Sequence, residues 1–167
     1  MERYDVIIIG GGPTGATAAH ALATAGARVL VLDGAVFPRV KLCAGWITAP
    51  VWDTLGIAPG DYPGTLQPFS RATLELEGRV HETRWGHTVS YGIIRREFDH
   101  YLLQRAAAAG ATVRTNTRVD TLKRDGGSWL FPVGTTQISA PILVGAGGHR
   151  CPVARELGKI DKDEAVV

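Results

Sequence analysis

Tyr4-Asp5-Val6-Ile7-Ile8-Ile9-Gly10-Gly11-Gly12-Pro13-Thr14-Gly15, then an alanine-rich run, then Arg28-Val29-Leu30-Val31-Leu32-Asp33, is the stretch that decides the fold. Val6 to Ile9 is an unbroken apolar run and reads as a buried strand. The alanine-rich run reads as a helix, and Val29 to Leu32 as a second buried strand that ends on a carboxylate. Between the first strand and the helix stands G-x-G-x-x-G. Gly10 permits the tight turn out of the strand, Gly12 keeps side-chain atoms out of the way of a pyrophosphate, and Gly15 lets the helix lie close on the sheet. Pro13 suits the first helical turn, where its missing N–H costs nothing. The free N–H groups of that turn, around Thr14, and the helix dipole together favour phosphate. Asp33 stands where a carboxylate accepts hydrogen bonds from a ribose diol. Strand, turn, helix, strand and terminal acid in this order point to a dinucleotide site. The plain alternatives are a glycine-rich loop in some other α/β protein and, for Asp33, a solvated strand-end acid.

At 167 residues the chain is long enough for one sizeable core and short for two. Its 45% apolar and 20% charged residues are those of a soluble globular protein. A net charge of +2, with no basic stripe and interleaved aromatics, argues against a nucleic-acid partner. The opening apolar run is too short to span a bilayer and is followed by glycines, so neither a membrane span nor a signal peptide is expected. Cys43 and Cys151 lie far apart, and His20, His81, His87, His100 and His149 show no metal-ligand spacing. A reducing cytoplasm is the expected location, and no metal is expected.

Residues 34–94 break the simple strand–helix alternation. Residues 34–70 are rich in Gly, Pro and Trp and read as a partly irregular excursion. Ala72–Leu76 and Thr88–Ile94 read as antiparallel strands with one face packed. Arg95 to Ala109 turns helical, with Phe98, Leu102, Ala106 and Ala109 near one face and Gly110 placed to end it. Ala111–Arg114 reads as a strand returning to the parallel sheet. Residues 117–124 and 128–138 read as a hairpin about Asp125-Gly126-Gly127. Pro141–Gly148 is a last buried strand running into a glycine turn, and a helix begins at Pro152. The expected fold is therefore α/β and Rossmann-like: a parallel sheet made from the two ends of the chain, with antiparallel strands inserted between.

Four segments in this order resemble the FAD-dependent oxidoreductases of the geranylgeranyl reductase type, within the hydroxylase-like flavoproteins. The first is the fingerprint at 10–15 with Asp33. The second, Phe37-Pro38-Arg39-Val40-Lys41-Leu42-Cys43-Ala44-Gly45, is similar to that family's P-R-x-K-x-C-G-G, which runs beside the flavin. The third, Arg95-Arg96-Glu97-Phe98-Asp99, is similar to its R-x-x-F-D. The fourth, Gly145-Ala146-Gly147-Gly148, stands where the family has G-A-D-G, with Gly147 in place of the acid. The resemblance implies FAD, with NAD(P)H as a candidate reductant. It implies cofactor contacts at Gly10, Gly12, Pro13, Thr14, Gly15, Asp33, Arg39, Lys41, Cys43, Ala44, Arg95, Gly145 and Gly147, with backbone near Val119 flanking the adenine. For Arg39 and Lys41 the alternative is a solvated surface cation, for Arg95 a charge at a helix start, and for Cys43 a small buried hydrophobe.

The family continues past the length of this chain, through a Gly-Asp segment at the ribityl chain and a substrate sheet. The resemblance thus implies a single FAD-binding domain over 1–167, C-terminally truncated, with 34–94 inserted. It implies a small hydrophobic or aromatic substrate, and either self-association or a complementary domain as partner. Weak FAD binding and little catalysis by the isolated chain are the corresponding expectations. The competing readings are an NAD(P)-binding protein without flavin and a non-catalytic nucleotide-binding remnant. No catalytic residue is assigned.

Overall fold

The computed structural model describes residues 1–158. In chain order the elements are β1 (Glu2–Arg3), β2 (Val6–Ile9), α1 (Pro13–Thr24), β3 (Val29–Leu32), β4 (Trp46–Thr48), α2 (Pro50–Leu55), β5 (Leu66–Phe69), β6 (Arg71–Leu76), β7 (Arg79–Arg84), β8 (Ser90–Ile93), α3 (Arg95–Ala108), β9 (Thr112–Arg114), β10 (Lys123–Asp125), β11 (Ser128–Val133), β12 (Thr136–Ala140), β13 (Ile142–Gly145) and α4 (Pro152–Glu156). They form two compact units. One comprises Met1–Arg39 with the chain from Asp99 onward, and the other is Val40–Phe98.

The first unit holds a four-stranded sheet in the order β13-β2-β3-β9, parallel throughout. Ile7 stands opposite Leu30 on one side and Leu143 on the other. Every residue of β2 and β3 is buried, as the unbroken apolar runs require when both faces of a parallel sheet are covered. Helix α1 lies on this sheet through Gly15, Ala16 and Ala19, residues small enough for close approach. A second sheet, β1-β12-β11-β10, carries the expected hairpin with shorter arms, Lys123–Asp125 and Ser128–Val133; residues 117–122 are not strand, and the chain turns again before β12. Ile7, Ile9, Leu30 and Leu32 share one core cluster with Phe131, Ile138, Ala140, Cys151 and Val153, so α4 and the second sheet close one side of the parallel sheet.

The second unit contains the antiparallel sheet β4-β8-β5 and the separate pair β6-β7. Its core is aromatic: Trp52 packs edge-on against Tyr91 and Phe98, with ring centroids 5.6 and 6.0 Å away. Tyr62 completes the cluster, 5.6 Å from both Trp52 and Phe98. The segment 34–70 is more ordered than its composition suggests, since α2 buries Trp52 and Leu55 within it. The expectation of one packed face is corrected for Ala72–Leu76, which lies in β6 and pairs with β7. Both strands are exposed along their whole length, with Leu74, Leu76 and Val80 each more than 60% exposed. Sequence alternation marks which residues share a face, but it does not guarantee a layer to cover that face. Among the described residues, no helix is long and apolar enough to cross a membrane.

Candidate cofactor-binding site

The glycine turn is set by close approach of backbone. Gly10 has φ +113°, and a Cβ there would lie 2.4 Å from the Ala146 carbonyl oxygen, where the ends of β2 and β13 meet. A Cβ on Gly15 would lie 1.8 Å from the Gly10 carbonyl oxygen, so only glycine lets α1 start directly above the strand end. Gly12 differs. It is the N-cap of α1 in ordinary extended backbone, and the nearest atom to an added Cβ is Arg39 Nη2 at 3.5 Å. The space in front of Gly12 is therefore open. Pro13 occupies the first helical position and no side chain caps the helix. The N–H groups of Thr14 and Gly15 then have no acceptor within the helix and are available to an anion.

Asp33 ends β3 and organises what surrounds it. Its Oδ2 accepts a hydrogen bond from the Gly11 N–H at 2.7 Å, and its Oδ1 accepts one from the Ala35 N–H at 2.8 Å. Its own carbonyl accepts from the Thr117 N–H at 2.8 Å, which ties the chain after β9 to the end of β3. Asp33 thus holds the glycine turn by its carboxylate and the segment that carries Val119 by its backbone carbonyl. Each of its oxygens retains a lone pair for a further donor. A cleft of about 410 Å³ opens beside it, lined by Gly10, Asp33, Gly34, Val119, Gly147 and Arg155 among others. Gly10, Asp33, Val119 and Gly147, four of the residues singled out from sequence, meet at this one cleft.

Gly145 does not line the cleft. A Cβ there would lie 2.7 Å from Val153 Cβ and 2.9 Å from Cys151 Sγ, so its place in the fold is packing against the start of α4. Gly147 is at the cleft, and a Cβ there would lie 3.2 Å from Cys151 Cα. An acid at 147 would need that segment to move by a few tenths of an ångström.

Arg39 is not a solvated surface cation. Its side chain is 18% exposed, its Nη1 stands 3.1 Å from Oδ2 of the fully buried Asp99, and its Cζ lies 4.8 Å over the Phe37 ring. Asp99 ends the R-x-x-F-D segment and is a residue the motif alone does not mark as part of the site. The signal for it was an acid at i−3 and i−4 from Leu102 and Leu103 on the buried stripe of α3, a place that demands a cationic partner. Lys41, Cys43, Ala44 and Arg95 all belong to the second unit. Lys41, Cys43 and Ala44 are exposed and Arg95 is half-buried. Cys43 is therefore not a small buried hydrophobe; its Sγ accepts the Gly45 N–H at 3.4 Å.

The residues present fit the adenosine and pyrophosphate end of FAD. Two positions admit no Cβ, an open face lies at an uncapped helix start, and a carboxylate borders the cleft. Gly147 is the one departure.

The chain is matched over residues 3–166 by the family model for an FAD binding domain. An uncharacterized protein of Methanosarcina barkeri is 30% identical over 98% of this chain and 42% of its own length. Digeranylgeranylglycerophospholipid reductase 1 of Methanopyrus kandleri is 31% identical over 97% of this chain and 44% of its own. The chain therefore spans somewhat over two-fifths of the length of these curated relatives. Among solved structures, a geranylgeranyl bacteriochlorophyll reductase-like protein of Thermoplasma acidophilum superposes with a TM-score of 0.77 at 24% identity, over 89% of this chain and 40% of that one. The parallel-sheet fold, the glycine cradle and the family match agree: this chain belongs to the FAD-binding domain family, and FAD is its cofactor.

Proposed function

We propose that the chain is the dinucleotide-holding part of an FAD-dependent oxidoreductase acting on a hydrophobic or aromatic small molecule. The observation that carries this reading is the Asp33 carboxylate, hydrogen-bonded to the glycine turn and bordering the cleft beside Gly10. Asp33 holds the ribose diol, Val119 flanks the adenine, and Gly12, Thr14 and Gly15 present open space and N–H groups to the pyrophosphate, with Arg39 beside them. FAD supplies the hydride and electron transfer, and the protein supplies binding and orientation. NAD(P)H is the proposed reductant. The reductase names of the relatives support a hydrophobic isoprenoid-like substrate.

Asp33 gives the first test. Asp33→Ala removes both acceptors, releases the Gly11 and Ala35 N–H groups and lowers FAD affinity by about 1.5–3 kcal/mol, roughly 10- to 150-fold. Asp33→Asn keeps one acceptor oxygen and loses less. FAD titration of the three proteins checks this order, and equal affinities would return Asp33 to the role of a strand-end acid.

The likeness of 37–45 to the segment beside the flavin supports places near the ring for Lys41, Cys43 and Ala44, and the likeness of 95–99 supports one for Arg95. The exposed Cys43 thiol reports on this. Saturating FAD slows its alkylation several-fold, while the buried Cys151 stays unreactive with or without FAD. Unchanged labelling of Cys43 would remove this segment from the flavin site. The exposed Leu74 and Leu76, on one face of the β6–β7 pair, support self-association or a covering domain. Leu74→Glu with Leu76→Glu shifts the purified chain toward monomer in size-exclusion chromatography, and an unchanged elution volume would exclude this face from any self-association.

A further inference from the structure

Two positive features converge at the start of α1. One is the N-terminal end of a 12-residue helix with no acid in its first turn and no side-chain cap. The other is the Arg39 guanidinium, whose Nη2 is the nearest atom to an added Cβ on Gly12. A helix dipole repels a cation placed there. Phe37 and Asp99 hold Arg39 in that place regardless, the ring 4.8 Å beneath Cζ and the carboxylate 3.1 Å from Nη1. Asp99 itself is fully buried on α3, a costly place for a carboxylate unless its partners are fixed. The pair therefore looks arranged for a third charge. Nη1 is buried 3.1 Å from the Asp99 carboxylate without a hydrogen bond of good geometry, and Nη2 is the atom nearest the open space before Gly12, where an anion would offset both the guanidinium and the helix end.

We propose that Asp99 is a positioning residue for dinucleotide binding: it fixes the Arg39 guanidinium so that Nη2 meets a pyrophosphate oxygen in front of Gly12. This rests on the reading of 10–33 as the FAD cradle and extends it to α3, an element the fingerprint does not include. Asp99 touches no ligand and acts on it through Arg39, so the loss is expected for ligands that carry a pyrophosphate.

The test compares ADP with adenosine, each titrated into the full chain. Asp99→Asn lowers affinity for ADP and for FAD by about tenfold, the scale of one hydrogen bond to a charged group. Adenosine affinity changes less than twofold. In an Arg39→Met background, the Asp99→Asn change adds no further loss. Unchanged ADP affinity in Asp99→Asn would overturn the proposal. So would equal losses for ADP and adenosine, since these mark a general structural role. Should Asp99→Asn not fold, Arg39→Lys serves instead. Its single ammonium reaches Asp99 or the anion but not both, and the same ADP-selective loss is expected; unchanged ADP affinity there overturns the proposal as well. Failure of the unaltered chain to bind either FAD or ADP would sink the underlying cofactor reading, an outcome separate from any effect of the variants.

Discussion

Gly15→Ala unfolds or loosens the parallel-sheet unit and abolishes FAD binding. The added Cβ would lie 1.8 Å from the Gly10 carbonyl oxygen and 3.2 Å from Ala146 Cβ. The first of these is backbone and cannot swing away, so α1 must lift from the sheet. Lifting it exposes Ala16 and Ala19, now completely buried, and moves the first-turn N–H groups. The expected cost is about 3 kcal/mol or more, at the upper end of overpacking penalties. The sign of the effect is informative. On helix propensity alone, glycine to alanine would stabilise by about 1 kcal/mol. Denaturant unfolding read beside FAD titration decides the matter: a variant as stable as the parent, or more so, would mean that α1 does not start above the end of β2 as described.

Gly12→Val has the opposite profile. Gly12 lies at φ −70°, ψ −177°, a backbone that valine adopts readily, and an added Cβ meets nothing closer than Arg39 Nη2 at 3.5 Å. The protein folds with near-parental stability. The branched side chain fills the space in which the pyrophosphate must sit, and FAD affinity falls by more than about 100-fold, well beyond the roughly 1 kcal/mol of a propensity change at glycine. Unfolding curves that coincide with the parent, together with lost FAD binding, are the expected pair of results. Parental FAD affinity would remove this turn from the cofactor cradle. The two glycines look equivalent in the fingerprint, yet a Cβ on Gly15 meets backbone and a Cβ on Gly12 meets open space.

The first βαβ unit was legible because each of its features is local. Unbroken apolar runs at 6–9 and 29–32 become strands buried on both faces, and the glycine spacing becomes the cradle itself. The return of residues 112–114 and 142–145 to the same sheet followed from the strand-like runs at those positions. The inserted unit was less legible. Arg79–Arg84 carries one apolar residue in six, so no period marks it as a strand; its pairing with β6 defines it. Helix α2 is six residues long, too short for a helical period to emerge. The close approach of Gly145 to Val153 and Cys151 is a matter of packing visible only in three dimensions. The Arg39–Asp99 pair joins residues sixty positions apart. The sequence offered the acid on an apolar stripe but not its partner.

We propose that residues 10–39, with the chain near Val119, hold the adenosine and pyrophosphate end of FAD. Competition at constant FAD tests it most directly, with flavin fluorescence as the readout. FAD is expected to bind, excess ADP to displace it fully, and FMN, which lacks the adenosine end, to displace little or none. Full displacement by FMN with none by ADP, or no FAD binding at any concentration tried, would contradict it.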